Sequence, residues 1–207
     1  MRFVSWAVVC MWILGAGLSY AGENAGAVFS FDLELDGQAE KVNQEQSELT
    51  GRDARDSVVL SVLADGVSNL CAYAVNVRFD TTQVSFEGGG NTNVTLFEFD
   101  VFSEALLSPS FTKGVDPEDH SIVSLVSAVL PAPGSDTAPD GDGKFLGWLK
   151  FTTRDPFEGE ARFSLVLGKL KGVDGEWDEV SSEGVVVVLG GVAVEPHSWG
   201  QVKATMK

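Results

Sequence analysis

Apolar residues between positions 27 and 195 recur at every second position in short runs, and no stretch keeps the 3.6-residue period of an amphipathic helix. In "VFSFDLEL" (28–35), Phe29, Phe31, Leu33 and Leu35 fall on one side of an extended chain; Ser30, Asp32 and Glu34 fall on the other. A chain patterned in this way hides its apolar side only by pairing strands laterally and laying one sheet on another. Similar β-rich runs are "SVVLSVLA" (57–64), "CAYAVNVRFD" (71–80), "QVSFE" (83–87), "SIVSLVSAVL" (121–130), "KFLGWLKFTT" (144–153), "ARFSLVLGKL" (161–170) and "EGVVVVLGGVAVE" (183–195). Turn signals separate them, among them "DGVSN", the Pro-, Gly- and Asp-rich "PAPGSDTAPDGDG" (131–143), and Asp174-Gly175 at a hairpin position. Eight or nine strands with no long amphipathic helix predict an all-β fold, an antiparallel β-sandwich. The domain is expected over 27–195, with an exposed polar and acidic insertion at 36–56 and a tail at 196–207 ("PHSWGQVKATMK"). Residues 88–120 mix a Gly run, an aromatic patch and a Pro-bearing loop, and receive no element here.

The N-terminus has a different pattern. One basic residue, Arg2, precedes an apolar run from Phe3 to Leu18, and the small residues Ser19 and Ala21 flank Tyr20. This is the pattern of a secretory signal peptide over 1–21, with cleavage expected after Ala21. The run is short for crossing about 30 Å of hydrocarbon and lacks a basic flank, so a retained anchor is the weaker reading. Removing 21 of the 207 residues leaves 186, with Cys71 as their one cysteine and a formal charge moving from −16 to −17. No intrachain disulfide is then available, so stability must come from the core. Such acidity excludes a phosphate-neutralising nucleic-acid surface and suits a secreted, extracellular or cell-surface protein with no membrane span once the signal is removed.

Chemistry-bearing patterns are sparse. The 186 residues hold two histidines, His120 and His197, and no Gly-x-Ser-x-Gly, His-Glu-x-x-His or Cys/His cluster, so no catalytic residue is assigned. Counting by two along "CAYAVNVRF" puts Cys71, Tyr73, Val75, Val77 and Phe79 on a core-facing stripe, where the thiol acts as a small hydrophobe. The opposite face carries Asn76 and Arg78, the candidates for a partner surface. Trp148 and Trp177 are candidates for stacking on sugar rings, Trp148 pointing away from Phe145, Leu149 and Phe151 by strict alternation. Asp136, Asp140 and Asp142 in "DTAPDGDG" could supply oxygen ligands to calcium, although Ala138 and Gly147 break the EF-hand spacing, and a solvated acidic turn is the favoured reading. No other cofactor is implied.

The run "SVVLSVLADGVSNLCAYAVNVRFDTTQVSFEGGG" resembles a bacterial cohesin module, or the wider cohesin-like and carbohydrate-binding sandwich superfamily. The matching pieces are the turn "VSNL", the alternating strand "CAYAVNVRFD" and the short "TTQVSFE". "GDGKFLGWLKFTT" resembles the family's Gly-x-Leu strand, with Gly143, Leu146, Leu149 and Phe151 in register, and "ARFSLVLGKLKGVDGEWDEV" its penultimate strand and hairpin. The resemblance covers most of 57–194; the insertion at 36–56 and the segment 88–120 depart from it. It implies a cohesin-like jelly roll and a non-catalytic module binding a dockerin-like or other extracellular protein. A carbohydrate-binding module acting with polysaccharide degradation is the alternative within the same superfamily. A structural component of a cell-surface layer is the alternative outside it.

Overall fold

A computed structural model describes residues 22–35, 47–93, 98–99, 101–102, 110–129, 140–157, 159–182 and 185–190. The expected signal segment, most of the 36–56 insertion, Asp136, His197 and the tail lie outside them. The elements among the described residues are all strands. The first half holds β1 (Val28–Leu35), β2 (Glu48–Arg52), β3 (Ser57–Asp65), β4 (Ala72–Phe79), β5 (Val84–Gly90), β6 (Thr92–Asn93) and β7 (Glu98–Phe99). The second half holds β8 (Ser110–Val115), β9 (Ile122–Ala128), β10 (Lys144–Thr153), β11 (Glu160–Lys171), β12 (Trp177–Glu179), β13 (Ser181–Ser182) and β14 (Val185–Gly190). No helix among them is long and apolar enough to cross a membrane.

Two sheets form the sandwich: β13-β1-β3-β10-β5, and β2-β14-β11-β4-β9-β8 with β12 beside β11. Pairing is antiparallel except at β1 with β13 and β14 with β2, so both sheets are mixed where a wholly antiparallel arrangement was expected. These two parallel joins bring together segments far apart in sequence, which no hairpin could connect. β2 falls inside the stretch read as an exposed connection. Its residues "ELTGR" bury Leu49 alone, so an outermost strand forms there without the alternation that marks the others.

The inner sides of the two sheets meet in one apolar core. Phe151 is the hub of its aromatic part, with ring centroids 5.1 Å from Phe79, 5.7 Å from Phe86 and 4.7 Å from Phe163. Burying each such ring contributes about 1.5–3 kcal/mol. The expected stripe of Cys71, Tyr73, Val75, Val77 and Phe79 does face this core, each residue being at most 4% exposed.

β10 departs from strict alternation. Its register to β3 shifts between Phe145 and Gly147, leaving Leu146 as the extra residue of a bulge. Leu146 and Leu149 consequently both reach the core despite their odd spacing. Phe145, opposite Leu63, lies on the outer side with Trp148 and not against it, as simple alternation had placed it. The Tyr73 hydroxyl donates to the Leu146 carbonyl across the sandwich, joining the sheets at the bulge.

Candidate binding face

Register along β4 sets out the outer face of the larger sheet as three rows. The first row is Thr112, Val126, Ala74 and Lys169; the second is Gly114, Ser124, Asn76 and Leu167. The third is Ile122, Arg78 and Ser164. A second bulge, between Leu165 and Leu167 of β11, adds Val166 to the exposed apolar residues at 44%, alongside Val126 at 38%.

The centre of this face is short-chained and uncharged. β4, β8 and β9 contain no Asp or Glu at all, in a chain of formal charge −16. Its cations stand at the margins and are paired: Arg78 with Asp119 at 3.4 Å, and Lys169 with Glu179 at 3.1 Å. Asp119 is itself anchored by Ser121, whose hydroxyl and N–H both donate to its Oδ1, at 2.5 and 3.0 Å. Those bonds, with help from Arg78, hold the Asp119 carboxyl below its usual pKa. The two partner-face candidates, Asn76 and Arg78, are therefore neighbours on one open surface. The acid-free composition of β4 and β9 was legible in the sequence, whereas β8, Val166 and Leu167 join the face only through register and bulge.

The smaller sheet presents a different exterior. Ser30, Val59 and Ser61 on its outer side are at most 5% exposed. Trp148 is half-buried there, its indole N–H donating to the Thr92 carbonyl at 2.9 Å. The ring leans on Gly90, where a Cβ would stand 2.7 Å from the indole nitrogen. Trp177 is 44% exposed on β12 of the other sheet, with the Lys171 ammonium 5.7 Å from its ring centroid. The two tryptophans thus stand on different sheets and form no common platform.

Asp140 and Asp142 fasten a loop. Asp140 accepts the Asn69 N–H at 2.7 Å and Asp142 the Gly66 N–H at 2.8 Å, while Asp65 accepts the Gly143 N–H at 2.5 Å. A two-way backbone bridge between Val67 and Gly141 completes the latch. Among the described residues no three acidic, His or Cys side chains are grouped to hold a metal. Cys71 is buried and donates to the Gly172 carbonyl at 3.1 Å. Burial raises its thiol pKa, with Asp174 and Glu23 adding to the shift and Lys171 opposing it.

No protein-family model matches the sequence, and no curated protein sequence matches it significantly. Solved structures do match. A type I cohesin–dockerin complex from Clostridium thermocellum aligns with TM-score 0.53 and 9% identity, covering 79% of this chain and 94% of that one. A scaffoldin cohesin from Acetivibrio cellulolyticus, solved with a dockerin, aligns with TM-score 0.52 and 13% identity over 79% and 99% of the two chains. A cohesin module of a family 33 glycoside hydrolase from Clostridium perfringens aligns with TM-score 0.51 and 9% identity over 79% and 96%. The chain therefore has the jelly-roll sandwich fold of cohesin modules.

Proposed function

We propose that the protein is a secreted, non-catalytic binding module that holds another extracellular protein, of dockerin type, on the outer face of β8, β9, β4 and β11. The observation that carries this reading is an open, partly apolar sheet face, free of acidic residues across β4, β8 and β9, on an otherwise strongly acidic chain. The centres of protein interfaces are depleted of charge in this way, while charged residues gather at the rim. Arg78–Asp119 and Lys169–Glu179 occupy that rim. As exposed pairs they are worth about 0–1 kcal/mol each to stability and serve orientation more than affinity. Cohesins of the same fold are found in complex with dockerins, which supports the class of partner. Secretion rests on the N-terminal pattern.

The test is capture from the producing organism's culture fluid, and of dockerin modules directly, with the double variant Val126→Asp, Leu167→Asp beside the natural chain. Two carboxylates at the centre of the face are expected to weaken capture by at least about tenfold, equivalent to ~1.4 kcal/mol. Val126 is exposed and Leu167 half-buried, so the thermal midpoint of the double variant is measured beside that of the natural chain to show that it is folded. Undiminished capture by a folded double variant defeats the proposal. Retention on insoluble polysaccharide that is lost in Trp177→Ala and kept in the double variant would instead make the protein a carbohydrate-binding module. Co-fractionation with the cell envelope, with both assays blank, would make it a surface component.

A further inference from the structure

Asp178, in the middle of β12, is a carboxylate only 7% exposed. Its Oδ1 accepts the Gly22 N–H at 2.8 Å and its Oδ2 the Asn24 N–H at 2.9 Å. Among the described residues no Lys or Arg forms an ion pair with it. A carboxylate withdrawn from water with only dipoles for company is left with an uncompensated charge. Gly22 is pressed directly onto this group, since a Cβ there would lie 2.4 Å from Asp178 Oδ2. The Gly22 nitrogen is also the atom that follows the small-x-small sequence Ser19-Tyr20-Ala21, where cleavage is expected. Two further acids crowd the same corner. Asp174 accepts the Glu23 N–H at 3.2 Å, and a Cβ on Gly172 would stand 2.7 Å from Glu23 Oε2 and 3.2 Å from Asp174 Oδ1.

We propose that the Ala21–Gly22 bond is the maturation site and that the freed α-ammonium of Gly22 is the missing cation for Asp178. Water adds across the bond under a signal peptidase. The Ala21 carbonyl carbon takes the hydroxyl and departs with the leader as a carboxylate, and the Gly22 nitrogen gains the protons to become –NH3+. Before cleavage that nitrogen offers Asp178 one N–H and no net charge. Afterwards it offers three donors and a positive charge at the same place. Processing thereby completes a buried ion pair that pins the start of the mature chain to the β11–β12 hairpin.

Asp178 on β12 accepts directly from this nitrogen, Asp174 in the hairpin turn accepts the N–H of the next residue, and that residue, Glu23, is the third acid of the corner. Lys171 at the end of β11 is the opposing cation, and it acts on neighbouring Cys71 as well. Three acids against one base favour the charged amine, raising it above the ordinary α-amino value of about 7.7–8.0. A folded value above the unfolded one means the pair stabilises fully below the unfolded value. That stabilisation is lost as pH rises through the folded value.

The experiment exports the full-length precursor from a bacterial host and reads the first residue of the secreted chain by mass spectrometry. Gly22 is expected, and any other start overturns the proposal. Titration of the mature amine by 15N NMR is expected to give a midpoint at least about one unit above the ordinary α-amino range; an ordinary midpoint overturns it. Asp178→Asn would disturb two backbone bonds as well as the charge, so the discriminating variant leaves Asp178 in place. A chain starting at Tyr20 keeps the Gly22 N–H and moves the charge two residues away. It is expected to melt below the mature chain at neutral pH, with the gap closing above pH ~10, where the ammonium is gone. Equal midpoints at neutral pH overturn the proposal.

Discussion

Tyr73 combines packing with a polar contact at one point in the core. Its ring, fully buried, stacks on Phe102 with centroids 5.9 Å apart, and its hydroxyl serves the bulge carbonyl of Leu146. Tyr73→Phe keeps the ring and withdraws the donor, so the expected cost is about 1–3 kcal/mol, read as a lower urea midpoint at unchanged slope. An unchanged midpoint would show that the hydroxyl contributes nothing there. Cys71 is the other residue whose environment makes a definite forecast. Its raised pKa means the folded state keeps the thiol proton where the unfolded chain, titrating near ~8.5, has lost it. Stability should therefore decline with pH above that value, and Cys71→Ala should remove this part of the decline. Thiol reagents should modify the native chain far more slowly than the denatured one; equally fast reaction would contradict the buried placement. The inward direction of both side chains was legible from a count of two along one strand. The Tyr73–Leu146 contact was not, because it depends on a bulge in another sheet.

At the scale of elements, the reading succeeded where a strand has a buried side and failed where it does not. β1, β3, β4, β9, β10 and β11 all announce themselves by inward apolar residues. β2 contributes one buried side chain, and β8 alternates little, "SFTKGV" holding two apolar residues besides a glycine. The Gly88–Gly90 run, given no element from sequence, is the end of β5, paired to Trp148–Lys150 of β10. Contact requires glycine at two of these positions: a Cβ on Gly89 would lie 2.4 Å from the Trp148 carbonyl and one on Gly90 2.7 Å from its indole nitrogen, whereas one on Gly88 meets nothing within 4 Å. Gly89→Ala should destabilise by about 1–3 kcal/mol through forced separation of β5 from β10. Gly88→Ala should be neutral or stabilising by up to about 1 kcal/mol, through a less free unfolded chain. Equal effects in thermal melts would refute the assigned pairing. The Asp174-Gly175 hairpin forms as expected, with Gly175 at a φ of +87°.

Across the whole molecule, the two sheets expose unlike surfaces, one sealed around Ser61 and one open around Asn76. If the open face takes the partner, attraction comes chiefly from its uncharged centre. Moderate salt should then leave capture largely intact, while a steep loss with salt would put the rim pairs in control. The period-two pattern by itself determined the sandwich and the inward stripe of β4, because burial acts through each residue's own side chain and its neighbours in sequence. The cohesin-type fold was also anticipated, from strand edges and turns. Only the tertiary structure decided that Val166 and Leu167 join Asn76 on one face, that Trp148 and Trp177 stand on different sheets, and that Asp178 waits beside Gly22. Those outcomes depend on bulges, register and contacts between residues as much as 156 positions apart, and no local pattern carries the geometry of a distant partner.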